Sequence, residues 1–289
     1  MPEFKTLKYH VSDSRVATIT LARPGKRNAQ DTHLLYELND AFLAASRDSN
    51  VKVIILAAEG ADFSAGHDLG EVDWQENWAN SDRTTGWELT DGKGVEQMLI
   101  REKEIYLGFC QQWRRLPKPT IAQVQGRCIA GGLMLVWPCD LIIAADNAKF
   151  RDNTLTLGVS GVEYFAHPWE VGPRKAKEML FTADWLGAEE AHQRGMVNHV
   201  VPLDELEDFT RTFAARIASR PMTALRAAKM AVNAAEDAQG RGAAEETAFA
   251  YHHLTHAHNR EVYGMELDPT AMEAATISTS KLAPNKREK

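Results

Sequence analysis

The sequence predicts an α/β fold in which buried strands alternate with helices, followed by a helical C-terminal region. The near-continuous apolar run at residues 51–58 is typical of a strand that is buried on both faces, and a similar run leads into residues 121–124. After Pro202 the strand signal stops and helix-forming residues dominate. We therefore predict three segments: a sheet core at 1–202, a helical region at 203–275 and a polar tail at 276–289.

The elements follow one another in a regular order. β-rich runs at residues 7–10 and 15–21 predict an opening hairpin, because Ser-Asp-Ser separates them. Apolar residues recur at a helical period over 32–47, before the strand at 51–58. Further predicted elements are helices at 102–116, 174–181, 188–194, 203–219 and 222–236, and strands at 120–124, 141–144 and 197–201.

Residues 70–103 are the least regular part of the chain. They hold Trp74, Trp78 and Trp87 among small and polar residues. A connection of this length without secondary structure predicts a functional or mobile loop. The tryptophans either line a pocket or anchor the loop on the protein.

Two turns that contain glycine follow predicted strands. Residues 126–145 begin with a Gly, continue through Gly131-Gly132 into an apolar helix-like segment, and end in a strand. Residues 63–69 read Phe-Ser-Ala-Gly-His-Asp-Leu and follow the strand at 51–58. Each turn can supply one backbone N–H to the same carbonyl oxygen, which is how an oxyanion hole is built. Close packing of a helix on a sheet is the alternative interpretation of the glycine pair.

These turns, together with residues 23–29, 117–122 and 195–197, resemble the crotonase (enoyl-CoA hydratase/isomerase) superfamily in order and spacing, over about residues 4–233. The resemblance implies a β/α spiral core, an acyl-CoA or enoyl-CoA substrate, and a homotrimer or a hexamer made of two trimers. It implies that the thioester oxygen is held by the amides of His67 and Gly131. It also implies these substrate-binding residues: Lys26, Arg27, Ala29, Ala65, Asp68, Leu69 and Gly132.

The sequence departs from the hydratase pattern at both expected catalytic glutamates. The corresponding positions are Met134 and Thr154, counted without gaps. Methionine cannot transfer protons, and a threonine hydroxyl without an activating base is a poor general base. Two-glutamate hydration is therefore not expected.

Glu163 is the preferred catalytic carboxylate, since some members of the superfamily place a carboxylate near this position. Asp152 and His167 are further candidates, and structural roles are the alternative for all three residues. The side chain of His67 is larger than the residue usual there and could reach the acyl pocket. Two function classes stay open: an enzyme (hydratase, isomerase or hydrolase) and a non-catalytic binder of CoA thioesters.

Composition limits the partners. The chain has 289 residues, 44% of them hydrophobic, and a net charge of −7, which argues against nucleic acid and anionic membranes. Three cysteines without metal-type spacing and the lack of a signal-like N-terminus predict a cytoplasmic protein with free thiols.

A metal is not expected from the sequence. His252 and His256 would share a helix face, but no zinc-protease motif accompanies them. No cofactor is expected either, because coenzyme A would be part of the substrate.

Overall fold

The computed structural model describes residues 3–88 and 95–271, so the predicted tail at 276–289 lies outside the described residues. The strands in this part of the chain are β1 (Leu7–Val11), β2 (Val16–Leu21), β3 (Val53–Ala58), β4 (Thr120–Val124), β5 (Arg127–Ile129), β6 (Leu141–Ala145), β7 (Lys149–Arg151), β8 (Leu186–Gly187) and β9 (His199–Val201). They form a six-stranded sheet in the order β1-β2-β3-β4-β6-β9 and a three-stranded sheet in the order β5-β7-β8.

The main sheet is parallel except for the opening hairpin of β1 and β2. Its central strands carry apolar side chains on both faces, because helices cover both sides. On one face Val53 and Ile55 of β3 pack with Ile121 of β4 and with a C-terminal helix. The opposite face forms the larger core, which includes Ile54 and Leu56.

The helices lie before, between and after the strands. They are α1 (Thr32–Arg47), α2 (Trp74–Ala79), α3 (Glu96–Glu102), α4 (Phe109–Arg114), α5 (Gly131–Val136), α6 (His167–Val171), α7 (Pro173–Thr182), α8 (Ala188–Gln193), α9 (Leu206–Ala218), α10 (Met222–Ala238) and α11 (Arg241–Tyr263). α1 begins where the side chain of Asp31 accepts the N–H of Leu34 at 2.9 Å, as an N-cap residue does.

One π-helical segment joins α3 to α4. It spans Lys103–Gly108 and keeps residues 96–114 in one continuous helical run. Segments of this kind are rare and occur frequently at functional sites. This one carries Tyr106 and directly follows Glu102, both of which are buried.

The predicted α/β fold with a helical C-terminal region is confirmed. Residues 70–103 were predicted to be irregular, and this is wrong for α2 and for α3, which begins earlier than the predicted helix at 102. The short strands β5 and β7 were not predicted, since three residues are too few to show an alternating pattern. The boundary at residue 202 stays a prediction. None of the described helices is both long and apolar enough to cross a membrane.

Candidate functional site

The site begins where the two glycine-containing turns meet. Ile129 donates its N–H to the carbonyl oxygen of Ser64 at 3.0 Å, so the turn after β3 packs on the segment that leads into α5. Gly66 has φ +90°, and a Cβ there would lie 2.8 Å from Ile129 O and 3.2 Å from Gly131 N. Glycine is required for this approach, which places His67 beside Gly131.

The backbone amides of His67 and Gly131 are unpaired. Neither N–H has a hydrogen-bond acceptor among the residues that the structure describes. Ala130, between β5 and α5, has φ 45° and ψ −110°, a strained conformation for a residue with a side chain. A Cβ at Gly131 would lie 2.7 Å from Cε1 of the His67 ring. The two amides are thus neighbours with free donors, as an oxyanion hole requires.

The turn after β2 packs on the loop that carries His67. Asn28 is buried, and its side-chain amide donates to Glu59 O at 2.9 Å and Asp62 O at 3.1 Å. This anchor positions Arg27, whose carbonyl oxygen accepts the N–H of Ala65 at 2.9 Å. The backbone of the two loops is therefore joined directly.

The predicted substrate-binding residues lie in or beside these turns: Lys26, Arg27, Ala29, Ala65, Asp68, Leu69 and Gly132. Lys26, Arg27 and Leu69 are exposed, and the Lys26 ammonium lies 3.9 Å from the Asp68 carboxylate. Gly132 is buried, and a Cβ there would lie 2.9 Å from Ser64 O. Close packing explains Gly132 without a ligand.

A cavity of about 450 Å³ lies against His67. Its walls come from the loop after β3, from α2, from the run that joins α3 to α4, and from α11. The polar and aromatic lining includes His67, Glu71, Trp74, Arg101, Glu102, Tyr106, Thr154, Glu163, His252, His256 and Glu266. Its size is within the usual range for small-molecule sites.

The His67 ring links the oxyanion turn to a buried carboxylate. Its Nε2 lies 3.2 Å from Oε2 of Glu163, and the ring stacks on Tyr106 with centroids 4.0 Å apart. Burial alone would raise the pKa of Glu163, but the neighbouring His67 and His252 outweigh it and hold the pKa well below its usual value. Glu163 is thus an ionised carboxylate on the cavity wall.

Helix α11 brings histidines to the far side of this carboxylate. Nε2 of His252 lies 3.6 Å from Oε1 of Glu163 and 3.5 Å from Oε2 of Glu102. Burial lowers the pKa of His252, yet Glu163 and Glu102 together raise it to about 9. For His253, burial dominates and lowers the pKa to about 4.

The remaining candidates and the two positions of the usual glutamates contribute no acid or base to the cavity, although Thr154 lines it. Met134 is buried in the core. The Thr154 hydroxyl donates to Oδ1 of Asp152 at 2.6 Å, and Oδ2 of Asp152 lies 2.8 Å from Nε2 of His167. Asp152 and His167 are fully buried and do not line the cavity, whereas Glu163 does.

The tryptophans of residues 70–88 show both predicted roles, lining a pocket and anchoring the segment on the protein. Trp74 lines the cavity, with the Arg101 guanidinium 4.9 Å from its ring. Trp78 is fully buried and donates from Nε1 to Glu104 at 3.0 Å, so it anchors the segment. Trp87 is exposed.

Sequence reasoning missed Glu102, Tyr106 and Arg101 as lining residues. They sit in a helical run whose π-helical segment changes the direction of its side chains, and a periodic pattern cannot show that. The sequence pattern singles out the histidines of α11. It does not reveal their neighbours Glu102 and Glu163, because these lie far away in the sequence.

The enoyl-CoA hydratase/isomerase family model matches residues 12–96 and 84–267. The chain belongs to this family. The predicted resemblance is therefore confirmed.

Relatives and solved structures agree with this assignment. The chain is 46% identical to "Putative enoyl-CoA hydratase EchA13" of Mycobacterium tuberculosis over 94% of this chain and 87% of that protein. It is 34% identical to a 4-chlorobenzoyl coenzyme A dehalogenase of Arthrobacter over 71% of this chain and 70% of the other. A probable enoyl-CoA hydratase of Mycobacterium smegmatis is similar in structure, with a TM-score of 0.82 and 48% identity, over 91% of this chain and 98% of that one.

Proposed function

We propose that this member of the family is an acyl-CoA enzyme that stabilises a thioester enolate and moves the proton with one carboxylate, Glu163. The observation that carries the proposal is the contact between Glu163 and the ring of His67, because the amide of His67 is one of the two unpaired donors. His67 and Glu163 both line the cavity, and Gly131 packs against the His67 ring. A thioester carbonyl accepted by the His67 and Gly131 amides would have its α-carbon on the same side as Glu163.

The chemistry follows from these positions. Each amide donor to a developing oxyanion is typically worth about 3 kcal/mol of transition-state stabilisation. Glu163 takes a proton from the α-carbon, the electrons move into the carbonyl oxygen, and Glu163 returns the proton to the α- or γ-carbon. Return to the γ-carbon is an isomerisation of the double bond, and no cofactor takes part.

Hydration by two glutamates is not supported by the side chains present. Met134 has no proton to give, and the Thr154 hydroxyl is engaged with Asp152. We expect crotonyl-CoA to be hydrated about 10²–10⁴-fold more slowly than by an enzyme with two positioned acid/base groups.

The lowered pKa of Glu163 favours a second candidate, in which the carboxylate attacks the thioester carbonyl carbon. The C–S bond then breaks, coenzyme A leaves as the thiolate, and water hydrolyses the anhydride to the free acid and Glu163. A carboxylate with a low pKa is a weak base but stays ionised, as a nucleophile must. The similarity to 4-chlorobenzoyl coenzyme A dehalogenases supports the same class of substrate. A turnover in H₂¹⁸O that leaves ¹⁸O in the Glu163 peptide would favour this candidate over proton transfer.

Coenzyme A would lie along the turn after β2 and the loop after β3, where Lys26, Arg27 and Leu69 are exposed. We further propose a homotrimer or hexamer, from the family resemblance, and a cytoplasmic location, from the free cysteines. These proposals are independent of which reaction Glu163 performs.

Solvent exchange tests the proposal without knowledge of the true substrate. Butyryl-CoA and a 3-enoyl-CoA are incubated with the protein in D₂O, and deuterium in the acyl chain is measured by mass spectrometry. We expect deuterium at the α-carbon of butyryl-CoA and conversion of the 3-enoyl to the 2-enoyl thioester. Binding of both thioesters without exchange or conversion would show a non-catalytic binder instead.

A further inference from the structure

A buried cluster of imidazoles and carboxylates lies on the cavity wall beside Glu163, and the proton transfer does not use it. Nδ1 of His252 donates to Gly161 O at 2.7 Å, and Nδ1 of His256 donates to Glu266 O at 2.8 Å. Each ring nitrogen Nδ1 therefore carries its proton. Nε2 is therefore the nitrogen of each ring that is left to bind a neighbour, through a proton or as a metal ligand.

These two Nε2 atoms face each other. Nε2 of His252 and Nε2 of His256 are 2.9 Å apart. Either a proton carried by one of the rings or a metal ion bound to both nitrogens is compatible with this distance.

Glu102 places an anionic oxygen beside the two imidazoles, as a third metal ligand would require. Its Oε2 is buried, has no hydrogen-bond partner, and lies 3.5 Å from Nε2 of His252. One ligand atom of each of Glu102, His252 and His256 lies within 4.8 Å of the other two. Ligand atoms on a tetrahedral zinc ion are about 3.3 Å apart, given Zn–ligand distances of about 2.0 Å. The three atoms can form one face of such a tetrahedron once the Glu102 carboxylate moves towards the imidazoles.

We propose that Glu102, His252 and His256 form a binding site for a divalent transition-metal ion of the Zn²⁺ type. Two imidazoles and one carboxylate suit Zn²⁺ and not Mg²⁺ or Ca²⁺, which prefer oxygen ligands. Backbone carbonyls fix both imidazoles through Nδ1, as the outer partners of metal-bound histidines do. The fourth position is open to water from the cavity.

This site departs from the sequence-based expectation that no metal is bound. That expectation rested on the lack of a zinc-protease motif around His252 and His256. Glu102 comes from the end of α3, and only the fold brings it to the histidines. Since Glu163 lies 3.6 Å from His252, a bound ion would adjoin the carboxylate that we propose to act on the substrate.

Cobalt binding tests the site directly. The protein is dialysed against a chelator and titrated with Co²⁺, while visible absorption reports tetrahedral coordination and mass spectrometry of the metal reports stoichiometry. We expect one equivalent of Co²⁺, displaced by Zn²⁺. His256→Gln should weaken binding by more than about 100-fold, beyond what the loss of an outer partner costs.

His258→Gln is the matched control, because His258 is an exposed histidine on the same helix and should not be a ligand. Glu102→Gln keeps the shape of the third ligand and should weaken binding as well, which covers the case that His256→Gln fails to fold. Equal Co²⁺ binding by wild type, His256→Gln and Glu102→Gln would contradict the proposal. Absence of a tetrahedral cobalt spectrum in the wild type would also contradict it, and the two histidines would then share a proton.

Discussion

Glu163→Gln should lower kcat by about 10²–10⁴-fold on whichever acyl-CoA the protein turns over, with a much smaller effect on binding. The substitution keeps the size of the side chain and removes the base. Glutamine can still accept a hydrogen bond from Nε2 of His67 across the present 3.2 Å, so the cavity should keep its shape. Rates and KM are measured with the 3-enoyl-CoA that is converted in D₂O.

Glu261→Gln, at an exposed position on α11, is the control and should behave as wild type. His67→Gln separates the two roles of that residue, because it removes the ring and keeps the amide. We expect it to retain thioester binding and to lose part of kcat. Unchanged kcat in Glu163→Gln would show that Glu163 is not the proton carrier.

Asp152→Ala should reduce the free energy of unfolding by about 3–5 kcal/mol, the usual cost of breaking a buried charged pair. The fully buried carboxylate accepts from Nε2 of His167 at 2.8 Å, from the N–H and hydroxyl of Thr154 at 2.9 and 2.6 Å, and from the N–H of Val162 at 3.2 Å. Alanine would leave these donors without an acceptor. Denaturant unfolding measures the loss.

Asp146→Ala is the matched control at an exposed position and should change stability by less than about 0.5 kcal/mol. A loss of less than 1 kcal/mol in Asp152→Ala would contradict the structural role of Asp152. Because Val162 directly precedes Glu163, we also expect kcat to fall in Asp152→Ala, but by less than in Glu163→Gln.

The stabilisation that Asp152 contributes to the folded state should depend on pH. Burial alone would raise the pKa of Asp152, but the hydrogen bonds from His167 and Thr154 outweigh it and lower the pKa. The folded state therefore binds fewer protons than the unfolded chain. The stabilisation is fully present above the unfolded pKa of about 4 and is lost as the pH falls below it. The difference between wild type and Asp152→Ala should shrink in acid.

Local patterns in the sequence were sufficient for the fold and for the two turns. Glycine is needed at position 66, where backbones approach closely, and at position 131, where the side chains of His67 and Gln30 pack on the main chain. Such a need is visible in the residue type itself. The positions of Met134 and Thr154 also follow from short-range spacing. The absence of carboxylates at these two positions can therefore be recognised without a structure.

The rest of the site depends on contacts between distant segments. Glu163 contacts His67 and His252, and the three residues lie in three separate segments of the chain. No spacing rule connects these segments. Asp152 and His167 were candidates because of their residue types, yet they bond to each other under the cavity. Which titratable side chain reaches a cavity is decided by packing.

The carbonyl stretch of a bound thioester tests the oxyanion hole most directly. Butyryl-CoA with ¹³C at the thioester carbonyl is bound to the protein, and its infrared band is compared with that of the free thioester. Hydrogen bonds from the His67 and Gly131 amides should shift the band to lower frequency. The shift should persist in Glu163→Gln and decrease in Gly131→Pro, which lacks the donor. A bound wild-type band at the frequency of the free thioester would contradict the proposed role of both amides.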